Sequence, residues 1–195
     1  MDEQAIIWRW HDRSPTPAMI QSSAVSQLCL RPFDVGVALR LLLSPEERYE
    51  PLSHALATST SAVHRSVSRL RLARICKANS RTIDPTALIE FAVCGVPYTF
   101  PSMRVGAARG MPTGLSHAHL QHLRSDSEPQ FVWASARHGA EGEAIVPLFH
   151  GVVQVAERDP RMHQLLSIVE ALRVAQRKDR DPLRACLEDA VRAVV

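Results

Sequence analysis

The sequence has only four cysteines, and no two of them are close neighbours. Cys29, Cys76, Cys94 and Cys186 are scattered along 195 residues without a CxxC pair. Structural zinc sites and small disulfide-linked folds need closely spaced or paired cysteines. We therefore expect no metal site and no disulfide framework, and we interpret the four residues as reduced, buried thiols.

Long apolar runs and a secretion signal are also absent. No stretch reaches the length of about 20 apolar residues that a membrane-spanning helix needs. The first residues are acidic, and Arg9, His11 and Asp12 then interrupt the apolar character, which is not the order found in a signal peptide. We expect a cytoplasmic protein without a membrane partner.

The signatures of common enzyme classes are missing as well. The sequence contains no GxSxG elbow, no GxxxxGK[ST] phosphate loop and no HExxH motif. His117, His119 and His122 are close in sequence, but no nearby cysteine or carboxylate completes a tetrahedral metal set. We therefore expect neither an enzyme nor a bound cofactor.

The composition is typical of a folded chain with a mildly basic character. Hydrophobic residues make up 46% and charged residues 22%, which disfavours both disorder and a fibrous repeat. The formal net charge of +3 permits an anionic partner without requiring one. The distribution of the charges along the chain is therefore more informative than their sum.

We predict a mainly helical α+β fold in three parts. Residues 1–27 are interpreted as an N-terminal arm, and residues 28–95 as a winged helix-turn-helix domain. Residues 96–195 are interpreted as a smaller mixed α+β unit with terminal helices, which senses a signal, dimerises or binds a partner.

Helix start and stop signals divide the first unit. Apolar residues at helical spacing predict a helix that begins at Pro32 and stops at Ser44-Pro45. Ser44 and Glu47 form a Ser-x-x-Glu capping box, which predicts a second helix from about residue 45. Asp84-Pro85 predicts the start of a later helix, and Gly95 its end.

The segment from 49 to 72 has the pattern of a helix-turn-helix. Leu52 and Leu56 share one helical face, and a second apolar face follows residues 57–60, which fall between the two helical stretches. Ser59 is placed to cap this second helix. The pattern predicts two short helices joined by a turn, with the second helix free to enter a major groove.

Positive charge is concentrated in the same segment. No acidic residue occurs between Glu50 and Asp84, although arginines and a lysine recur there. Such cations neutralise DNA phosphates, whereas polar residues at the front of the second helix are suited to base edges. The predicted DNA-binding residues are Ser59, Thr60, Ser61, His64, Arg65, Ser68, Arg69, Arg71, Arg74, Lys77 and Arg81.

The segment LSHALATSTSAVHRSVSRL resembles the helix-turn-helix of bacterial winged-helix regulators of the MarR-like kind. That resemblance covers residues 30–83 and implies a homodimer on a pseudo-palindromic DNA site. The wing is shorter than in that family, and the irregular segment after Gly95 is a departure from it. The elements CGVPYTFP and RGMPT also resemble an uncharacterised group of bacterial winged-helix proteins, which implies a regulator that acts with a partner protein.

Further elements are predicted on both sides of residue 95. Residues 75–77 and 81–83 are expected to form a small hairpin wing that turns at Asn79-Ser80. The Gly- and Pro-rich segment 96–122 is expected to be irregular, and Arg104 and Arg109 in it are candidates for binding an anionic ligand. Residues 131–135 and 143–149 are expected to form a hairpin, and Asp159-Pro160 and Asp181-Pro182 to start two helices.

These patterns predict sequence-selective binding of double-stranded DNA by a homodimeric transcriptional regulator. Each recognition helix would enter a major groove, with half-sites one helical turn apart, and repression would follow from occupancy. Two alternatives remain open. One is an antitoxin-like or adaptor module whose C-terminal half binds a protein, and the other is a sensor that binds a small-molecule effector with the 96–122 segment.

Overall fold

The computed structural model describes residues 29–194, so the predicted N-terminal arm lies outside the described residues. These residues form a mainly helical α+β fold with one small three-stranded sheet. None of the described helices combines the length and the apolar character that crossing a bilayer requires. In chain order the elements are α1 (Pro32–Leu43), α2 (Tyr49–Ala55), α3 (Thr60–Leu72), α4 (Pro85–Glu90), α5 (Val96–Thr99), β1 (Arg104–Pro112), β2 (Phe131–Ala134), β3 (Ala140–Ile145), α6 (Val152–Arg158), α7 (Pro160–Val174) and α8 (Arg180–Arg192).

Helix α1 has the predicted extent, but the helix that follows it starts later than the capping box indicated. The carboxylate of Glu47 binds the guanidinium of Arg40 at 2.8 and 3.0 Å, so it does not fold back to cap a helix at Ser44. Arg40 also pairs with Asp159 at 2.6 Å. The prediction of a helix from residue 45 is therefore wrong, because Glu47 takes part in a tertiary ion pair and α2 begins at Tyr49.

The two helices α2 and α3 and the turn between them lie where the sequence predicts them. The Ser59 hydroxyl accepts a hydrogen bond from the Ala62 N–H and caps α3, as expected. Ala57 in the turn has a φ of 50°, a left-handed conformation that alanine rarely adopts. The predicted apolar face is completely or almost completely buried at Leu52, Leu56, Val63, Val67 and Leu70.

The predicted wing is a tight turn with a single bridge. Cys76 and Ile83 form one antiparallel pair, and the Lys77 N–H donates to the Thr82 carbonyl oxygen at 3.0 Å. The Asp84 N–H donates to the Ile75 carbonyl oxygen at 2.9 Å and closes the turn. Asp84 then caps α4 through the N–H groups of Thr86 and Ala87, which confirms the predicted helix start.

The helix that begins at Pro85 does not stop at Gly95. A π-helical turn, Phe91–Gly95, joins α4 directly to α5. A Cβ atom on Gly95 would lie 2.5 Å from a ring carbon of Phe91, so this position needs glycine for close packing. The prediction of a helix end at Gly95 is therefore wrong. The glycine does not stop the helix; its missing side chain leaves room for the Phe91 ring.

The segment predicted to be irregular contains the longest strand. β1 pairs antiparallel with β3 from Arg104 to Gly110 and with β2 from Gly110 to Pro112. β2 and β3 pair with each other in parallel, so the three strands form a small closed barrel. The predicted hairpin of β2 and β3 is therefore wrong, because both strands use β1 as their antiparallel partner.

The ends of the sheet require close backbone approaches. A Cβ atom on Gly110 would lie 2.0 Å from the Trp133 carbonyl oxygen, and one on Gly142 would lie 2.4 Å from the Gln130 carbonyl oxygen. These contacts exclude any side chain at either position. The two glycines therefore allow the three short strands to close.

A buried ion pair organises the second half of the chain. The Glu170 carboxylate accepts hydrogen bonds from the Trp133 indole N–H at 3.3 Å and the Leu148 N–H at 2.8 Å, and it contacts Arg173. Arg173 also donates to the carbonyl oxygens of Phe100 and Pro101 and to that of Val146, at 2.8 to 3.2 Å. This pair therefore connects α7 with the sheet and with the end of α5.

The C-terminal helices largely follow their predicted starts. Asp159 accepts from the N–H groups of Arg161 and Met162 and caps α7, as expected. α8 begins at Arg180, one residue before the Asp181-Pro182 pair. α7 packs against α1, α6 and α8, and the buried apolar residues form one cluster from Val35 to Val191. The division into units at residue 95 stays a prediction.

His117 and His163 form a partly buried aromatic contact beneath the sheet. Their ring centroids are 4.4 Å apart, and His163 Nε2 lies 2.8 Å from the Pro112 carbonyl oxygen. Burial, followed by the proximity of His163 and His119, lowers the pKa of His117 to about 4. Burial is also the main cause that lowers the pKa of His163. Both rings are therefore neutral in the folded state at neutral pH.

We predict that acidification destabilises the fold through these histidines. Because the folded pKa of His117 is lowered to about 4, the unfolded chain binds the proton first as pH falls below about 6.5. The free energy of unfolding should therefore fall between about pH 6.5 and pH 4 and be insensitive to His117 above that range.

His117→Asn keeps an acceptor near the position of Nδ1. In this variant the loss of unfolding free energy between about pH 6.5 and pH 4 should be smaller by on the order of 1 kcal/mol. Urea unfolding at several pH values measures this difference. The exposed His122 is the matched control, and His122→Asn should leave the dependence unchanged. Equal pH profiles for the wild type and His117→Asn would contradict this prediction.

Candidate nucleic-acid interface

One face of α3 is exposed and carries the polar residues predicted for DNA contact. Thr60, Ser61, His64, Arg65 and Ser68 are all exposed on this face. The opposite face is buried against α1 and α2. α3 is therefore an amphipathic helix whose polar side is available to a partner.

Tyr49 at the start of α2 connects this face with the wing. The His64 ring stacks on the Tyr49 ring with centroids 3.6 Å apart. The Arg81 guanidinium carbon lies 4.9 Å from the centroid of the same ring, and Arg81 donates to the Glu47 carbonyl oxygen. Arg81 is therefore engaged within the fold, and His64 has one ring face covered.

Arg69 is not available to a ligand, which corrects the prediction that it contacts the DNA backbone. The residue is 6% exposed, and its guanidinium binds the Asp34 carboxylate through two hydrogen bonds of 2.7 and 2.6 Å. Asp34 also accepts the Arg31 N–H at 2.8 Å. Arg69 thus fixes α3 to α1. The sequence signal for this pair was Asp34, the only acid in a helix whose other residues are apolar except for Arg40.

Arg71 also has a structural contact. Its guanidinium donates to the Ser80 carbonyl oxygen at 3.0 and 2.8 Å, and the residue is half-buried. This contact holds the tip of the wing turn against the end of α3. Two N–H groups of Arg71 are therefore occupied by the Ser80 carbonyl oxygen. Only its remaining N–H groups could contact a DNA phosphate, as the sequence predicted for this residue.

Three predicted cations remain exposed and uncompensated. Arg65, Arg74 and Lys77 are exposed, and no acidic side chain of residues 29–194 pairs with them. Arg74 lies just after the end of α3 and has a left-handed backbone conformation with a φ of 59°. The wing turn begins at this residue. These three cations give the α3 face and the wing a positive potential.

A concave basic surface lies beside this face and includes a residue that the sequence reasoning missed. Its volume is about 530 Å³, and its lining contains Arg48, Tyr49, Arg71 and Arg81 but no acidic side chain. Arg48 is exposed and immediately precedes α2. Its signal in the sequence was its position two residues before Glu50, the acid that borders the acid-free stretch.

The structure separates the two arginines predicted to bind an anionic ligand. Arg104 lines a cavity of about 390 Å³ between the sheet and the C-terminal helices, together with Phe131 and Leu183. It also pairs with Glu143 at 3.1 Å. Arg109 pairs with Glu141 at 2.9 Å, with both side chains exposed, and it is not part of that cavity.

The histidines and cysteines are distributed rather than clustered. His119 and His122 are exposed, and within residues 29–194 no group of three or more His, Cys, Asp or Glu residues is arranged to hold a metal ion. Cys76 is buried, but Cys29 and Cys94 are exposed. The expectation that all four thiols are buried is therefore wrong.

An apolar patch is exposed beside the sheet. Met103, Val105 and Val146 are 64%, 61% and 39% exposed, and the Val146 N–H donates to the Met103 carbonyl oxygen. β1 pairs with β2 only from Gly110 onwards, so one edge of its first half has no strand partner in the described sheet. Exposed apolar side chains beside a strand edge are typical of a protein-binding surface.

Comparison of the chain with models of protein families, with curated proteins and with solved structures found no match. The interpretation of the site therefore depends on its own geometry.

We predict that the Asp34–Arg69 pair is essential to the position of α3. Asp34→Asn leaves the Arg69 guanidinium buried without a counter-charge, so the free energy of unfolding should fall by about 3 kcal/mol in urea denaturation. Replacing both partners with apolar residues, as Asp34→Leu with Arg69→Met, should recover most of that loss. A stable single variant would contradict a structural role for the pair.

We also predict that Arg74→Gly stabilises the fold. Arginine at a φ of 59° is strained, and glycine adopts this conformation freely, so the free energy of unfolding should rise by about 1 kcal/mol. Arg74→Ala removes the same cation without relieving the strain and is the matched control. Equal stabilities of the two variants would count against strain at this position.

Proposed function

We propose that the chain is a sequence-selective double-stranded DNA-binding regulator, in which α2, the turn and α3 act as a helix-turn-helix. The observation that carries the proposal is the asymmetry of α3. One side is buried on α1 and α2, while the other presents Thr60, Ser61 and Arg65 to solvent between uncompensated cations. A helix of this kind fits a major groove, whose width admits one α-helix.

The exposed residues divide into two roles. Arg65 has a free guanidinium at the centre of the exposed face and suits bidentate contact with a guanine. Thr60 and Ser61 lie in the first turn of α3, where their backbone N–H groups suit a phosphate. Their hydroxyls contact those of Ser53 and Ser59 at 3.3 and 3.2 Å and keep further capacity for a phosphate or a base edge. Arg48, Arg74 and Lys77 flank the helix and suit phosphates on either side of the groove.

We propose a homodimer with repression by occupancy, in keeping with the MarR-like resemblance of residues 30–83. The patch of Met103, Val105 and Val146 supports a contact with a second copy of the chain. The ion pairs beside it, Arg104–Glu143 and Arg109–Glu141, present both signs of charge, so two identical edges can approach without net repulsion. An antitoxin-like contact with another protein would use the same surface.

The proposal is tested by selecting bound sequences from random duplexes and measuring affinity for the selected site. Arg65→Gln should weaken binding by roughly tenfold and relax the preference at one base pair of each half-site. Lys77→Gln should weaken binding to all sequences alike and lower the slope of log affinity against log salt by about one per subunit. A dimer requires half-sites about 10 base pairs apart, centre to centre.

Arg192→Gln is the matched control, since Arg192 is also exposed but lies at the end of α8, outside the α3 face and the proposed dimer contact. The affinity of this variant for the selected site should equal that of the wild type. If no sequence is enriched, or if Arg65→Gln binds the selected site as tightly as Arg192→Gln, the DNA-binding proposal is wrong.

A further inference from the structure

A second basic surface lies between α5 and the start of α8, and the proposed DNA contact does not use it. It is an open concavity of about 720 Å³. Its lining includes no residue of α1, α2, α3 or the wing turn. The residues that line it are Val93, Cys94, Tyr98, Arg177, Lys178, Arg180, Asp181 and Arg184.

Its four cations are poorly compensated. Arg177 and Lys178 are exposed and have no acidic partner within residues 29–194. Arg184 has a long contact of 3.7 Å with Glu188 and another of 3.8 Å with the Cys94 Sγ atom. The nearest acceptor of Arg180 is the Ala175 carbonyl oxygen at 3.5 Å. Since Asp181 is the single acid of the lining, the surface has a net positive charge.

Tyr98 adds an open aromatic face to this charge. The side chain is 65% exposed, more than any other aromatic side chain of residues 29–194. The Arg180 guanidinium carbon lies 4.8 Å from the ring centroid and covers one face of the ring. The large exposed fraction indicates that the other face of the ring is open to a ligand.

Arg180 is partly buried beside the Tyr98 ring. Its Nε atom is buried without a hydrogen-bond partner in the described residues, and the rest of the group lies between Tyr98 and the Ala175 carbonyl oxygen. Its charge therefore lies beside the ring. A planar, electron-poor ligand such as a nucleobase gains from stacking on an aromatic ring that is supported in this way.

The cations lie around the start of α8, where Asp179 at the N-cap and Asp181 in the first turn offset only part of their charge. Arg180 and Arg184 lie in the first two turns of the 13-residue helix α8, where the helix dipole favours negative charge. Arg177 and Lys178 lie in the 3-10 turn immediately before it. A bound phosphate would interact favourably with all four side chains and with the dipole.

We propose that this surface binds a nucleoside phosphate, with the base stacked on the open face of Tyr98 and the phosphates on Arg177, Lys178 and Arg184. An exposed aromatic ring alone would accept many apolar groups, and cations alone would accept any anion. Their juxtaposition within one concavity selects a ligand that carries both a planar ring and a phosphate. The source of that ligand is either a free nucleotide or the end of a nucleic-acid strand.

The test is isothermal titration of the full chain with ATP, inorganic tripolyphosphate and adenosine at about 0.15 M salt. ATP should bind saturably at one site per chain, tripolyphosphate more weakly and adenosine not detectably. Tyr98→Ala should weaken ATP binding at least roughly fivefold and leave tripolyphosphate binding unchanged. Tyr98→Phe keeps the ring and should bind ATP like the wild type.

The charged part is tested with the double variant Arg177→Gln with Lys178→Gln, which should weaken ATP and tripolyphosphate alike by at least roughly tenfold. Arg192→Gln, at the opposite end of α8, is the matched control and should bind ATP like the wild type. No ATP binding, or ATP binding that both Tyr98→Ala and the double variant leave unchanged, would overturn the proposal.

Two further arms separate the ligand sources and the two basic surfaces. A short 5′-phosphorylated oligodeoxyadenylate that displaces ATP and binds more tightly indicates a nucleic-acid end, whereas weaker binding than ATP indicates a free nucleotide. ATP binding should persist in Arg65→Gln, because the two surfaces share no residue. Loss of ATP binding in Arg65→Gln would instead locate the ligand at α3 and overturn the assignment to this surface.

Discussion

The exposed face of α3 depends on a buried charge pair on its other side. Asp34 and Arg69 are 1% and 6% exposed, and their two hydrogen bonds join α1 to α3 in the apolar core. Neither group can be buried alone without a large desolvation cost, so the pair constrains the two helices to one relative position. That position turns Thr60, Ser61 and Arg65 outward.

The arginines of α3 and the wing turn fall into two classes that the sequence does not separate. Arg69, Arg71 and Arg81 bind a carboxylate or backbone carbonyl oxygens inside the fold. Arg65 and Arg74 have no such acceptor in the described residues and remain exposed. Arginine has five donors in a rigid fork, which allows the same residue type to brace a loop or to bind an external anion. Only the free class supports a role in ligand binding.

A second buried pair supports the other half of the molecule. Glu170 and Arg173 connect α7 with Trp133 of the sheet and with the end of α5. α7 also packs against α1, so the sheet and the basic surface near Tyr98 are attached to the same helix framework as α3. The two proposed binding surfaces are therefore separate in their residues but supported by one continuous core.

The sequence by itself determined the elements that depend on neighbouring residues. The caps at Ser59, Asp84 and Asp159 and the buried face of α3 were predicted, because a cap and its N–H donor are two or three residues apart and helical spacing is periodic. The exposure of Thr60, Ser61, His64, Arg65 and Ser68 on α3 follows from the same periodicity, whereas Arg69 lies on the buried side.

Only the tertiary structure decided which distant groups meet. Arg69 pairs with Asp34 across 35 residues, Glu47 leaves its local cap for Arg40, and β1 takes β2 and β3 as partners in place of the predicted hairpin. Tyr98 and Arg180 come together in the same way, although they lie in different helices. Such contacts are selected by the packing of the whole chain, because many residues of the right type compete for each partner and local patterns do not rank them.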